Sequence, residues 1–69
     1  MQNYQAQLAN LIIARRKELK IKQEELSHLT QIALRTIRDL EKGIGNPSIQ
    51  TVQGVMEVLG IELVFKLRK

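Results

Sequence analysis

The chain has no cysteine and no tryptophan, and only one proline, one phenylalanine, one tyrosine and one histidine among its 69 residues. Without cysteine there is neither a disulfide to staple the fold nor a thiolate zinc site, and a single histidine is too little for a metal centre. The lack of cysteine agrees with a reducing compartment without proving one. Long hydrophobic runs are also missing. The longest, Leu11-Ile12-Ile13-Ala14, is far short of the roughly 20 residues of a membrane span and too short for the core of a signal peptide. The basic residues around it have no interfacial Trp or Phe beside them, so a membrane-surface helix is not expected either. The chain is expected to be soluble and cytoplasmic, with no membrane partner.

No nucleophile, base and oxyanion site stand within reach of one another, so no enzyme and no cofactor are expected. Glu24 and Glu25 are neighbours that diverge by about 100° on a helix and cannot share a site. The lone His28 reads as a surface residue. What the chain does have is positive charge: 11 Lys and Arg against 7 Asp and Glu give a net charge of +4, which favours a polyanion on encounter. A domain of this size holds only roughly 3–5 kcal/mol from its own core, which leaves oligomerisation as the available staple.

The first six residues are polar and are expected to fray. From there Leu8, Ile12 and Leu19 recur on one helical face, giving a first helix from Gln5 to Leu19, with Ile21 at the following turn. Leu11 and Ile13 fall off that stripe, as satellite packing or as part of a protein interface. A short second helix begins at Gln23-Glu24-Glu25, its carboxylates at the positive end of the helix dipole, with Leu26 and Leu29 turned inward. The third helix, Leu34 to Lys42, buries Ile37 and Leu40, leaves Arg35, Arg38 and Asp39 opposite, and ends at a left-handed Gly43. Gly45-Asn46-Pro47 is a turn. Ser48 caps a fourth helix with Ile49, Val52, Val55 or Met56, and Leu59 inward, and Gly60 stops it. After Gly60 the period changes to two: Ile61, Leu63, Phe65 and Leu67 alternate with Glu62, Val64, Lys66 and Arg68, the pattern of a half-buried strand. A lone strand needs a partner for its backbone groups, and the simplest is the same strand of a second copy; the alternative is a frayed tail folded back on the body. The fold expected is mainly α: one domain over 1–69, made of a four-helix helix-turn-helix bundle over 7–60 and a dimerisation strand over 61–67.

The second and third helices, joined by a tight turn, have the shape of a helix-turn-helix, in which the second member lies in the major groove of DNA. Gln23-x-x-Leu26, Ile37, Leu40-Glu41-Lys42-Gly43, Asn46-Pro47-Ser48 and Leu59-Gly60-Ile61 together resemble the repressor-type helix-turn-helix family of phage repressors and Cro proteins, over residues 8–61. Within it, Gln7-Leu8-Ala9-Asn10 and the terminal strand in place of a fifth helix are similar to HipB-like antitoxins. That resemblance implies a homodimer paired through the strand, repression of its own type II toxin–antitoxin operon, and a HipA-like serine/threonine kinase toxin as partner.

Arg35 and Arg38 share one face, and an arginine fork can bond guanine O6 and N7, worth about 1–3 kcal/mol of discrimination per pair. The family's base-contacting positions fall on Ala33, Leu34, Arg35, Arg38 and Asp39. Leu34 or Ala33 can meet a thymine methyl; Asp39 can accept from cytosine N4 or orient an arginine. Ala33 departs from the family, which has Ser or Thr capping this helix. Gln23 matches the family's phosphate-bonding glutamine, helped by the backbone amides at its helix start. Lys22, Lys42 and Asn46 flank the motif as further phosphate contacts. Arg16 and Glu41 match a structural ion pair of phage-repressor relatives, while Arg15, Lys17 and Lys20 read as a solvated face. A dimer of this kind expects double-stranded DNA with a palindromic operator. The rival from another class is a protein-interaction module that keeps the fold and docks an acidic protein.

Overall fold

The computed structural model describes residues 4–68; the fraying expected of residues 1–3 lies outside them. Four helices follow in order: α1 (Tyr4–Glu18), α2 (Gln23–Thr30), α3 (Leu34–Lys42) and α4 (Ile49–Leu59). Tyr4, Gln5 and Ala6 are helical, so α1 begins one residue earlier than its sequence pattern suggests and ends one residue sooner, at Glu18.

Helix α1 packs on α3 and α4, and α2 packs on the same two. Their shared core is Ile12, Leu26, Ile37, Leu40, Val52, Val55, Met56 and Leu59, with Leu8, Ile21, Ile32, Ile61 and Leu63 closing its edges. Val55 and Met56 are both buried, so α4 turns two adjacent residues inward where the spacing allowed either. Three inward expectations fail. Leu19 lies past the end of α1 and is exposed, while Ala9, on the turn before Ile12, takes the buried place. Leu29 is 53% exposed because α2, only eight residues long, already spends its inner face on Leu26. Ile49, the first residue of α4, is 54% exposed at the helix's open end.

Ser48 caps α4 by accepting from the Thr51 N–H at 3.1 Å, and Gly43 and Gly60 end α3 and α4 in left-handed conformation. Two other turns use left-handed residues that are not glycine: Lys20 and Gln31, both at φ 59°. Helix α3 has no side-chain cap at Ala33. Among the described residues no helix is long and apolar enough to cross a membrane.

After Gly60 the tail runs on without a strand assignment among the described residues. A strand is defined by its ladder, and among the described residues no other extended segment pairs with the tail. The alternation is visible only at its start: Ile61 and Leu63 are half-buried against the core, whereas Phe65 is 74% and Leu67 fully exposed.

Candidate nucleic-acid interface

Helix α3 is held on its inner side by Ile37 and Leu40, both buried, and turns Arg35 and Arg38 to solvent. Ala33 is exposed ahead of the helix, and Leu34 and Asp39 are half-buried at the margins of the arginine face. Of the five residues, Ala33, Arg35 and Arg38 are exposed, while Leu34 and Asp39 are partly covered.

The turn leading into α3 is fixed by short-range bonds. The Ser27 hydroxyl donates to the Ile32 carbonyl at 2.5 Å, the Thr30 hydroxyl donates to the Leu26 carbonyl at 2.8 Å, and the Ile32 N–H donates to Ser27 O at 3.3 Å. Gln31 meets the left-handed geometry with its side chain donating to the His28 carbonyl at 2.9 Å. These bonds close the C-terminus of α2 and hold the turn as far as Ile32.

The other end of α3 is anchored by charge. Arg16 of α1 and Glu41 of α3 form a two-pronged ion pair, Nε to Oε2 at 2.6 Å and Nη2 to Oε1 at 2.9 Å, with side chains only 13% and 5% exposed. The remaining Arg16 nitrogen, Nη1, donates to the Ile21 carbonyl at 3.0 Å. The hydrogen bond with Glu41 raises the Arg16 pKa above its ordinary value; burial opposes this and the nearby negative charge adds to it. Paired, hydrogen-bonded and buried, the arginine stays a cation.

Gln23 does not stand alone at the start of α2. Its side-chain nitrogen donates to Glu41 Oε1 at 3.1 Å, so Glu41 ties the first turn of α2, α1 and the end of α3 together. Lys22 precedes it, exposed, with its backbone N–H donating to Glu25 Oε1 at 3.4 Å, one half of a capping box. Lys42 and Asn46 are exposed beyond α3. The loop that carries Asn46 is pinned from a distance by Gln5, whose side-chain nitrogen donates to the Gly45 carbonyl at 2.6 Å. Nothing in the sequence signals that contact, because it joins residues 40 apart through a polar side chain. Between the loop and α3 lies a notch of about 210 Å³ bordered by Thr36, Asp39, Ile44 and Asn46.

A helix-turn-helix profile matches residues 12–66, most of the chain. The chain belongs to the helix-turn-helix family. This XRE-type helix-turn-helix makes the protein a DNA-binding transcription regulator, from a family that is in general not enzymatic, with double-stranded DNA as its ligand. No curated protein matches the chain. In helix-turn-helix terms, α2 and α3 are the two motif helices and α3 is the one that faces the groove. Lys22 and Gln23 at the start of α2, and Lys42 and Asn46 after α3, bracket that recognition helix. Ile61, Leu63, Phe65 and Leu67 belong to the tail, away from the motif in sequence.

Proposed function

We propose that the protein is a dimeric, sequence-specific repressor that reads a palindromic operator with Arg35 and Arg38. The observation that carries this reading is the pre-organisation of α3: a helix buried on one side, closed by a largely enclosed, part-buried ion pair at its end, and offering two exposed arginines on the other. Rigid presentation matters because bidentate base contacts tolerate little misalignment. Ala33, Leu34 and Asp39 contribute at the edges of the same footprint, and Lys22, Gln23, Lys42 and Asn46 hold the backbone phosphates on either side.

Dimerisation is assigned to the tail, Ile61, Leu63, Phe65 and Leu67 pairing with the same segment of a second copy as an antiparallel ribbon. Exposure of Val64 at 60%, Phe65 at 74% and Leu67 at 100% supports this, since a lone monomer gains nothing from showing three large apolar groups in one short segment. An apolar groove of about 290 Å³ beside the tail, lined by Tyr4, Leu8, Pro47, Ile49, Val52, Leu63 and Phe65, extends the surface available to a partner. Two half-sites then lie about one helical turn apart or a multiple of it.

The resemblance to HipB-like antitoxins supports a second layer, in which the dimer neutralises a HipA-like serine/threonine kinase toxin and represses their shared operon. Selection of bound sequences from random duplex DNA tests the central reading: an enriched palindrome with guanines at symmetric positions is expected. Binding with no sequence enrichment, together with capture of an acidic protein, would favour the interaction-module reading instead. A kinase-like reading frame beside the gene, whose product co-purifies with the chain, tests the antitoxin layer.

A further inference from the structure

Among the described residues the Gln23 side-chain nitrogen donates to Glu41, and this bond constrains how the glutamine can face DNA. Glu41 Oε1 takes hydrogen bonds from both Arg16 Nη2, at 2.9 Å, and Gln23 Nε2, at 3.1 Å, while Oε2 takes Arg16 Nε at 2.6 Å. An ionised carboxylate can only accept. It therefore selects one of the two ways round for the Gln23 amide, nitrogen inward, and uses one of its two N–H groups. The second N–H is left for an outside acceptor, at a half-exposed position on the first turn of α2. Arg16 matters as well, because an unpaired carboxylate next to a phosphodiester would repel it, and the bidentate partner cancels that charge.

We infer that Glu41, neutralised by Arg16, is a positioning residue for DNA binding: it holds the Gln23 amide so that a fixed N–H donor faces a backbone phosphate at the start of α2. The inference rests on the reading of Gln23 as a phosphate contact and adds what orients it. It also gives the ion pair a role that a purely structural link between α1 and α3 lacks.

Three variants on duplex DNA test it: Gln23→Ala, the pair replacement Arg16→Met with Glu41→Leu, and all three changes together. Replacing both members of a buried ion pair by apolar residues is often neutral for folding, and thermal unfolding of each variant confirms that it is folded at the titration temperature. Gln23→Ala is expected to weaken operator and random duplex alike, by about three- to tenfold, and to leave the salt slope unchanged because the amide carries no charge. The pair replacement is expected to lose at least the same factor, and Gln23→Ala to cost nothing further in that background. An undiminished Gln23→Ala loss there overturns the inference while leaving the phosphate contact standing. No loss from Gln23→Ala in the parent protein overturns the contact and the inference with it. Should the pair replacement fail to fold, side-chain amide resonances of the parent protein decide: on adding DNA, one Gln23 amide proton keeps its shift and the other moves. Movement of both, with loss of the bond to Glu41, rejects the role.

Discussion

Arg15 Nε donates to the carbonyl oxygen of Leu59 at 2.7 Å, so a side chain of α1 closes the C-terminus of α4 across 44 residues of sequence. The last carbonyls of a helix have no acceptor role within it, and a cation there also meets the negative end of the helix dipole. Gly60 follows at φ 71°, and a Cβ on it would come 3.4 Å from Arg15 Nη2. Arg15 thus stands where the tail leaves the body, and its additional ion pair with Glu18, at 3.6 Å on a largely exposed surface, adds little.

Arg15→Ala is expected to lower stability by about 1–2 kcal/mol through loss of a charge-assisted bond to a helix end, with Glu18→Ala nearly silent. Urea unfolding of the two variants checks this. Equal losses would mean that the exposed ion pair and not the helix closure carries the effect.

Breaking the Arg16–Glu41 pair from one side is expected to cost about 3–5 kcal/mol, comparable with the whole stability of so small a domain, so Glu41→Ala should be largely unfolded at room temperature. Circular dichroism reads this out. Because the Arg16 pKa is raised in the fold, its contribution is present in full below the ordinary arginine value and is lost only as pH climbs through the folded one. The arginine side of the pair should therefore give a flat stability profile across neutral pH and weaken only in strong alkali.

Arg38→Ala is expected to cost about 1–3 kcal/mol on the selected operator and to relax preference at one base pair, whereas Lys42→Ala should weaken all duplexes alike and lower the salt slope by about one unit. Titrations at several salt concentrations on operator and random DNA separate the two. Equal loss on both DNAs for Arg38→Ala would remove it from the base-reading set.

Lys20→Gly should stabilise the protein, by about 0.5–1 kcal/mol, because a left-handed residue with a Cβ is relieved at an exposed turn. Gln31→Gly should gain less, since it also gives up the bond to the His28 carbonyl. Thermal melts rank the two; the opposite order would show that the Gln31 bond is of no consequence.

Phe65→Ser with Leu67→Ser should leave the stability of the monomer unchanged, because neither side chain is buried in one chain, yet abolish the dimer. Operator affinity should then fall by about 10²–10⁴, as the second half-site is no longer presented at high local concentration. Sedimentation beside operator titration checks this. A variant that stays dimeric and tight on DNA would show that the tail does not join the copies.

What the sequence determined by itself is local: the spacing of Ile37 and Leu40 with arginines opposite, Ser48 and Gly43 at their helix ends, and the change of period after Gly60. Each depends on residues within a turn or two of one another, where helix geometry and capping chemistry act directly. Tertiary structure alone decided Arg15, which sequence pattern assigns to a solvated face and which instead reaches Leu59. It also decided Gln5 on Gly45 and Gln23 on Glu41, and it left Leu29 and Ile49 outside a core that their spacing would have admitted. A periodic pattern says which side of a helix is apolar, but not how far that side is covered or which distant backbone group a long polar side chain will find. Those depend on where the neighbouring helices end, and only the packed molecule sets that.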